Sequence, residues 1–546
     1  MFDLKGFIGA ILHRNTDDPI ANLRSATIWV QELPHKDVRR AQTEIVKTVA
    51  GMNQKAAKSL KERIKVLLYL DEKASALQEI LCSEYMSHID QPDTSEKSSL
   101  PTILGFWDEM ATAYNLCVRA FAKDPSSKLW DQIPLITAKA LHYHAMQAKW
   151  SHLRYLPVEA QVWRNLHRLY LFAERENFDK TPLHLFPGQD ETSCVAEYTQ
   201  PLMLQLAGTE SLLPSQIEMI DKWLDSWSSS VTVEATFRPH RQLFAVNTAD
   251  GRPAMKLRRN MVGEKYHYLS TALLQITIQK VVEQLMSGEI PARLKLSENC
   301  RLPYCLELIE LVRKRWACLG TTRQHERQAS VASAQVVQGL PGILAQLKPG
   351  SKARAAAAGG GEVVNLHLTQ LAQDGADQSA TVLTAAEPEL FAPTLKHWVI
   401  ENESQSGFGV AFDADPGSSL KIGMLVGLKP FSKKHFCIGI VRRINNDPSG
   451  KVYVGLQTLS QTPILVKLGA AQGDASGGGR TAEAVYLPET PQIQLARSLL
   501  VARDFFAPAK TAQLSAQGKS YSIRLRKALE QSDNFALVSF DVLSKQ

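Results

Sequence analysis

The chain has 546 residues, of which 44% are hydrophobic and 21% are charged, and its formal net charge is +7. Domains average roughly 150 residues, so this length predicts three or four folded units. The apolar fraction excludes a largely disordered chain, because enough side chains are available to form hydrophobic cores. The mild basic excess favours anionic partners, but the sequence lacks the dense Lys/Arg clusters of a dedicated DNA-binding protein.

The N-terminus and the cysteines predict where the protein is located. The run from Met1 to His13 is short and apolar, but it lacks a basic leading region and a cleavage site, so we expect no export signal. No segment approaches the ~20 consecutive apolar residues that a membrane-spanning helix needs. The seven cysteines are scattered and predict reduced thiols without disulfides or zinc, including Cys300 and Cys305. We therefore expect a soluble, cytoplasmic protein.

Helical periodicity dominates from about residue 19 to residue 231. One predicted amphipathic helix carries Leu60, Ile64, Leu67 and Leu68 largely on one face. Trp163, Leu166 and Tyr170 have the spacing of the first helix of a tetratricopeptide repeat, but no second copy follows, and ordinary helical core explains them equally. Either interpretation describes a helical region that can contact another protein.

Strand-like patterns first occur at residues 231–262, where short alternating runs and the Asp250-Gly251 turn predict a small β insertion. Helical patterning returns at about 266–287 and again at 302–317. From Gln328 onward Val, Ile, Thr and Gly increase, and many short runs with close turns predict a small β-barrel. Further strand-like runs at 483–546 can extend this barrel or form a second β unit.

Two polar motifs border the predicted barrel. Arg323 and Arg327 lie just before its first strand, and each guanidinium can pair with a phosphate or stack on a purine. The run from Asn402 through Ser404 to Gly407 follows a predicted strand and offers an amide, a hydroxyl and a glycine around which a planar heterocycle can bind. Taken alone, the first motif is also typical of a solvated helix face and the second of a hairpin loop.

In this order the two motifs resemble the PilZ domain, the bacterial receptor module for the second messenger cyclic di-GMP. The resemblance covers roughly residues 320–468. It implies that Arg323 and Arg327 grip the phosphates and guanine faces of cyclic di-GMP, and that Asn402, Ser404 and Gly407 hold a guanine. The two motifs are farther apart than is usual in that family, so an inserted segment must loop out for both to reach one ligand.

The predicted fold class is α+β and multi-domain: an N-terminal all-α helical region with a small β insertion, followed by a C-terminal PilZ-like antiparallel β-barrel. The helical region is predicted at residues 1–230, and the β insertion with its helices at 231–318. The barrel is predicted at 319–468 with an inserted loop at about 345–395. A linker and an additional β segment complete the chain at 469–546.

The resemblance implies a receptor for cyclic di-GMP that couples binding at the barrel to an unknown protein partner of the helical region. The alternative is an interaction scaffold whose PilZ-like barrel no longer binds nucleotide. An enzyme is not expected, because no P-loop, nucleophile motif or paired carboxylates occur, and His142 and His144 point in different directions on a helix. We expect no cofactor, no metal and no membrane span, and nucleic acid is an unlikely partner.

Overall fold

The computed structural model describes most of the chain. The described residues are 19–55, 59–89, 98–125, 127–297, 299–319, 326–348, 395–414, 420–470, 481–491, 495–516 and 518–545. The predictions for the N-terminal run Met1 to His13 and for Arg323 fall outside these ranges. So does most of the predicted loop insertion at 345–395.

Helices form the first part of the chain. They are α1 (Leu23–Gln31), α2 (Val38–Gln54), α3 (Leu60–Ser87), α4 (Leu100–Lys123), α5 (Ile133–Leu153), α6 (Ala160–Arg175), α7 (Cys194–Leu206), α8 (Pro214–Trp227), α9 (Ala272–Met286) and α10 (Tyr304–Trp316). Several begin at side chains that accept a hydrogen bond from the first turn, namely Asn22, Asp37, Ser59 and Ser193. Such caps satisfy backbone N–H groups that have no partner inside the helix.

Helix α5 is the centre of the helical core. Its buried residues occur on every side, from Ile136 and Leu141 to Trp150, and it packs against α4, α6, α7 and α8. A helix that is buried all round has to be enclosed by other helices. In α6, Trp163, Leu166 and Tyr170 are all buried in this same core, as ordinary helical core residues are. No described helix combines the length and the apolar character that crossing a membrane would require.

A small antiparallel sheet forms where the β insertion was predicted. Its strands are β1 (Thr232–Glu234), β2 (Phe244–Asn247), β3 (Met255–Lys256) and β4 (Tyr266–Ser270), in the order β1-β4-β2-β3. The start of the predicted helix at 266 is wrong, because Tyr266–Ser270 pairs with both β1 and β2 and α9 begins only at Ala272. Alternating aromatic side chains in β4 suit a strand that is paired on both edges.

Two closed barrels follow in the second part of the chain. The first contains β5 (Gln328–Gln338), β6 (Lys396–Ser404), β7 (Gly407–Asp413), β8 (Leu425–Pro430), β9 (Cys437–Asn446) and β10 (Lys451–Ser460), in the order β10-β7-β6-β5-β8-β9. The second contains β11 (Ile464–Ala470), β12 (Ala482–Leu487), β13 (Ser498–Ala502), β14 (Thr511–Ala516), β15 (Lys519–Gln531) and β16 (Phe535–Lys545), in the order β11-β12-β13-β16-β15-β14. The α+β multi-domain prediction, with helices first and antiparallel barrel strands later, is confirmed.

The two barrels share a hydrophobic core. Helix α11 (Gly339–Leu347) follows β5 and packs against strands of both barrels. Leu340 and Ile343 of this helix join Ile438 of the first barrel and Leu500 of the second in one buried cluster. Residue 468, the predicted end of the PilZ-like barrel, lies inside β11, which pairs with β12 and β14 of the second barrel. The chain as a whole divides into two compact units, one with the helices and the small sheet and one with the two barrels.

The cysteine prediction is wrong for one pair. Cys300 and Cys305 form a disulfide, with their Cα atoms 5.1 Å apart. The chain turns at the start of α10, where the Cys305 backbone N–H donates to the Arg301 carbonyl at 2.9 Å, and this turn brings Cys305 back onto Cys300. Both are buried, so this pair is part of the helical core.

Candidate ligand-binding site

The pairing of β5 with β6 brings Arg327 of the first predicted motif and the second predicted motif to one end of the first barrel. In this antiparallel pair Gln328 lies opposite Glu403, and Ala329 lies opposite Asn402. Arg327 immediately precedes Gln328 and its side chain is exposed. Arg327 therefore lies at the same end of the strand pair as Asn402 and Ser404, although residues 339–395 lie between the two strands in the sequence. Arg323 lies outside the described residues.

A β-bulge sets the position of Asn402. The register shifts between Ile400 and Asn402 on the sides of both β5 and β7, and such a bulge re-aims the side chains that follow it. The Asn402 amide lies against Gly409, where an added Cβ would be 2.6 Å from Oδ1. Oδ1 is buried and has no hydrogen-bond partner in the described chain. A buried polar atom without a partner is costly, so the described chain leaves the hydrogen-bonding capacity of this acceptor unused.

The turn between β6 and β7 contains Ser404 and Gly407. These two residues pair across the hairpin, with Gln405 and Ser406 between them, which is the short loop that antiparallel strands favour. The Ser404 hydroxyl donates to the Gly407 carbonyl at 3.3 Å and lies 3.4 Å from the Ser406 hydroxyl. The structure thus brings Asn402, Ser404 and Gly407 into one hairpin.

Gly407 has a structural reason to be glycine. A Cβ at this position would collide with the backbone carbonyl of Leu456 on the neighbouring strand β10. The position of a Cβ is fixed by its own backbone and the Leu456 carbonyl is also backbone, so no side-chain rotation can relieve the collision. Close packing of β7 on β10 therefore requires this glycine with or without a ligand.

A lysine that the sequence motifs did not include lies beside the same hairpin. Lys433, in the loop between β8 and β9, places its Nζ 5.7 Å from the ring centroid of Phe408, the residue after Gly407. The loop starts alongside β5, because the Phe431 N–H donates to the Ser333 carbonyl at 3.1 Å. The sequence feature that could have indicated Lys433 is the basic run from Lys433 to His435, which lies between two strand-like segments. Lys433 adds a positive charge to a site that already holds Arg327.

Arg442 has a different role from the one its sequence context suggests. Arg442 lies near the end of β9 and forms two hydrogen bonds of 2.7 Å with the Glu530 carboxylate of β15. This pair joins the first barrel to the second. The Arg442 guanidinium therefore contributes to the contact between the two barrels.

The two histidines of α5 occupy separate environments. His142 Nδ1 lies 3.2 Å from Glu197, whereas His144 is buried and its Nδ1 lies 2.6 Å from Gln147. Burial lowers the pKa of His144 to about 4, which keeps its imidazole neutral. Within the part of the chain that the structure describes, no group of three or more His, Cys, Asp or Glu side chains is arranged to hold a metal ion.

Two family models match the chain, one on each side of this candidate site. The model described as "Cyclic-di-GMP receptor FimW, N-terminal domain" matches residues 24–239, and the model described as "FimW C-terminal beta-barrel domain" matches residues 469–543. At both ends the chain is similar to one family, FimW. Neither model is named for PilZ. Searches of curated proteins and of solved structures gave no significant match.

The FimW matches coincide with parts of the fold already described. The N-terminal match starts in α1 and ends just before β2, so it covers the helical core around α5. The C-terminal match begins at the end of β11 and covers the remaining strands of the second barrel. The first barrel, with Arg327 and the Asn402 hairpin, lies between the two matched segments.

Proposed function

We propose that this chain is a receptor for cyclic di-GMP and that the ligand binds at the edge of the first barrel. The observation that carries the proposal is the β5–β6 register, in which Ala329 lies opposite Asn402 and Arg327 precedes the same strand end. The match of residues 24–239 to a model named for a cyclic-di-GMP receptor supports the receptor function, and the position of the site rests on the strand register alone. No catalytic step is required of such a protein, so we infer a receptor and not an enzyme.

Each residue of the site has a role that follows from its chemistry. The guanidinium groups of Arg323 and Arg327 would bind phosphates and stack on guanine faces. The unpaired Oδ1 of Asn402 would accept a hydrogen bond from a guanine N–H donor. The Ser404 hydroxyl would offer a further hydrogen bond to the guanine. Gly407 has no side chain, so its backbone could lie close to the ligand. Lys433, beside Phe408, would contribute a further positive charge.

Binding is proposed to act on the helical unit through the connecting segment. Arg323 and Arg327 belong to the stretch that joins α10 to β5, which is the covalent link between the helices and the first barrel. A ligand that holds these arginines restricts that link, and differential affinity for the restricted state drives the switch. The partner of the helical unit would sense this change.

Isothermal titration calorimetry of the purified full-length protein with cyclic di-GMP tests the binding site. We expect saturable binding that weakens by a factor on the order of ten or more in Arg323→Ala and in Arg327→Ala, because each loses charged hydrogen bonds. Ser404→Ala loses one neutral hydrogen bond, so we expect its affinity to fall by less, by a factor on the order of five. Arg503→Ala is the matched control, because Arg503 is exposed on the second barrel unit. Absence of binding, or equal affinity in both arginine variants and wild type, would contradict the proposal.

The second candidate function is an interaction scaffold whose barrel does not bind nucleotide. The packing of Gly407 and Ser404 favours it. Both residues have structural roles in the β6–β7 hairpin that do not need a ligand. A scaffold predicts protein partners whose binding is unaffected by cyclic di-GMP and by Arg323→Ala or Arg327→Ala. A receptor predicts that the partner affinity changes with the nucleotide and that both substitutions abolish the change.

A further inference from the structure

A second site of ligand size occurs in the helical unit, far in sequence from the barrel motifs. It is a cavity of about 570 Å³ whose lining residues come from α4 and α6 alone. Both helices pack against the central α5, so they flank it and leave a groove between them. Cavities that bind small molecules have volumes in this range, roughly 300–1,000 Å³.

The lining residues recur at helical spacing. Arg168, Phe172 and Arg175 lie four and three residues apart on α6, and Asn115 and Arg119 lie four apart on α4. Residues three or four apart share one face of a helix. The two stripes therefore face the same groove and place three guanidinium groups around it.

The other face of α6 explains why these arginines point outward. Trp163, Leu166 and Tyr170 of the same helix are buried in the core. Helix α6 is therefore strongly amphipathic, and its arginine face is the one directed away from the core. The core packing holds this helix in place and so positions the basic stripe.

The positive charge of the cavity is not neutralised by its one carboxylate. Glu174 accepts a hydrogen bond from the Tyr170 hydroxyl at 3.1 Å, and its other oxygen lies 2.9 Å from His267 Nε2. Arg119 forms no hydrogen bond or ion pair with any residue the structure describes. Arg168 donates to Asn165 and to the Arg164 carbonyl, both uncharged acceptors.

Arg175 is the one cavity arginine with an acidic neighbour. Its Nε lies 3.0 Å from a Glu176 carboxylate oxygen, its own side chain is largely exposed while that of Glu176 is half-buried, and its guanidinium lies 5.6 Å from the Phe172 ring centroid. An ion pair whose arginine is exposed to solvent contributes little, and the arginine can leave it easily. The cavity therefore keeps an excess of positive charge next to an aromatic wall.

We propose that this cavity binds a small organic phosphate of nucleotide size. Guanidinium groups pair bidentately with phosphate oxygens, and three of them around one groove suit a ligand with more than one negative charge. The apolar walls formed by Val118, Leu169 and Phe172 would contact the organic part of the ligand. This site shares no residue with the barrel site, so neither proposal depends on the other.

Calorimetry of the full-length protein with three probes tests this proposal: guanosine diphosphate, inorganic pyrophosphate and guanosine. We expect the two phosphate probes to bind and the uncharged nucleoside to show no binding. Arg119→Ala and Arg168→Ala should each weaken binding by a factor on the order of ten, because each removes a charged hydrogen bond. Affinity should also fall with added salt.

Two control variants distinguish binding at this cavity from nonspecific electrostatic binding and from binding at the barrel site. Arg164→Ala removes an exposed arginine of α6 that does not line the cavity, and Arg327→Ala alters only the barrel site. Both should leave binding of the phosphate probes unchanged. The proposal is overturned if neither phosphate probe binds, if guanosine binds as tightly as its diphosphate, or if Arg164→Ala weakens binding as much as Arg168→Ala.

Discussion

Arg442 of the first barrel and Glu530 of the second form a bidentate pair, with both N···O distances at 2.7 Å. The Arg442 Nε also donates to Gln457 at 2.7 Å. Glu530 pairs in register with Leu537, which belongs to the buried cluster that contains residues of both barrels, so this ion pair lies next to the shared core. The two barrels are therefore connected by polar as well as apolar contacts.

Loss of this pair should weaken the barrel unit. We expect Arg442→Ala to lower its free energy of unfolding by about 1–2 kcal/mol, and a double-mutant cycle with Glu530→Gln to give a coupling energy of about 1 kcal/mol. Urea unfolding, with hydrogen exchange in β15 and β16 to localise the change, measures both quantities. The more exposed pair Arg526–Asp541 within the second barrel should couple more weakly, and equal coupling of the two pairs would contradict this expectation.

Gly407→Ala should destabilise the first barrel by about 3 kcal/mol, because the new Cβ would overlap the Leu456 carbonyl and both sides of the contact are backbone. Gly51→Ala is the control, since that glycine lies inside α2 with no atom near its would-be Cβ. The control should stabilise the helical unit by about 0.5–1 kcal/mol. Thermal unfolding compares the two variants, and an unchanged melting temperature in Gly407→Ala would show that β7 and β10 can separate.

Much of the barrel could be predicted from the sequence, but its register could not. The alternating runs that become β5, β6, β9 and β10 indicate strands because one face of each is buried. Residues 339–395 lie between β5 and β6, and no local sequence pattern indicates which residues of such distant strands pair. The bulge before Asn402 depends on both neighbouring strands at once, so it too emerges only from the assembled sheet.

Two other elements show tertiary packing overriding local signals. Helix α11 contains Pro341 and Gly342, which are poor helix formers, and it exists because both barrels bury its apolar face. Arg442 has the sequence context of a solvated strand end, and its partner Glu530 is distant in the chain. The opposite case is α6, where the apolar spacing of Trp163, Leu166 and Tyr170 alone indicates the buried face.

The position of Asn402 gives an indirect test of the proposed cyclic di-GMP site. A Cβ at position 409 would lie 2.6–2.8 Å from the Asn402 amide atoms, so Gly409→Ala should turn that amide away. We expect cyclic di-GMP affinity to fall by a factor on the order of ten in Gly409→Ala and in Asn402→Ala, by loss of one hydrogen bond. Calorimetry measures the affinity, and circular dichroism checks that the barrel remains folded. If both variants bind cyclic di-GMP with wild-type affinity, then Asn402 does not contact the ligand.

Asp71 should be essential to the helical core. Its carboxylate is fully buried and accepts hydrogen bonds from Lys139 at 2.7 Å and from the hydroxyls of Tyr114 and Tyr143. Asp71→Asn would leave the Lys139 ammonium buried without a counter-charge, which costs about 3–5 kcal/mol. Urea unfolding measures this loss, and adding Lys139→Met to the same variant should recover part of it. A loss below about 1 kcal/mol would mean that Lys139 reaches solvent.

The helical unit should lose stability in mild acid. Burial lowers the pKa of His144, His152 and His167 to about 4, from an ordinary value of 6.5. Between these two values the unfolded chain binds protons that the folded chain does not, so the free energy of unfolding falls as the pH drops from 6.5 towards 4. The upper limit is on the order of 3 kcal/mol for each histidine.

The contribution of one histidine can be isolated. His152 is fully enclosed, and its Nδ1 lies 3.1 Å from the Thr209 hydroxyl, so His152→Gln removes the titrating group while keeping a polar side chain. Melting temperatures of this variant should depend less steeply on pH between 6.5 and 4 than those of the wild type, whereas His240→Gln, at an exposed position, should follow the wild-type curve. If the His152 variant also follows the wild-type curve, then its imidazole becomes protonated without unfolding, and the acid sensitivity must come from His144 and His167.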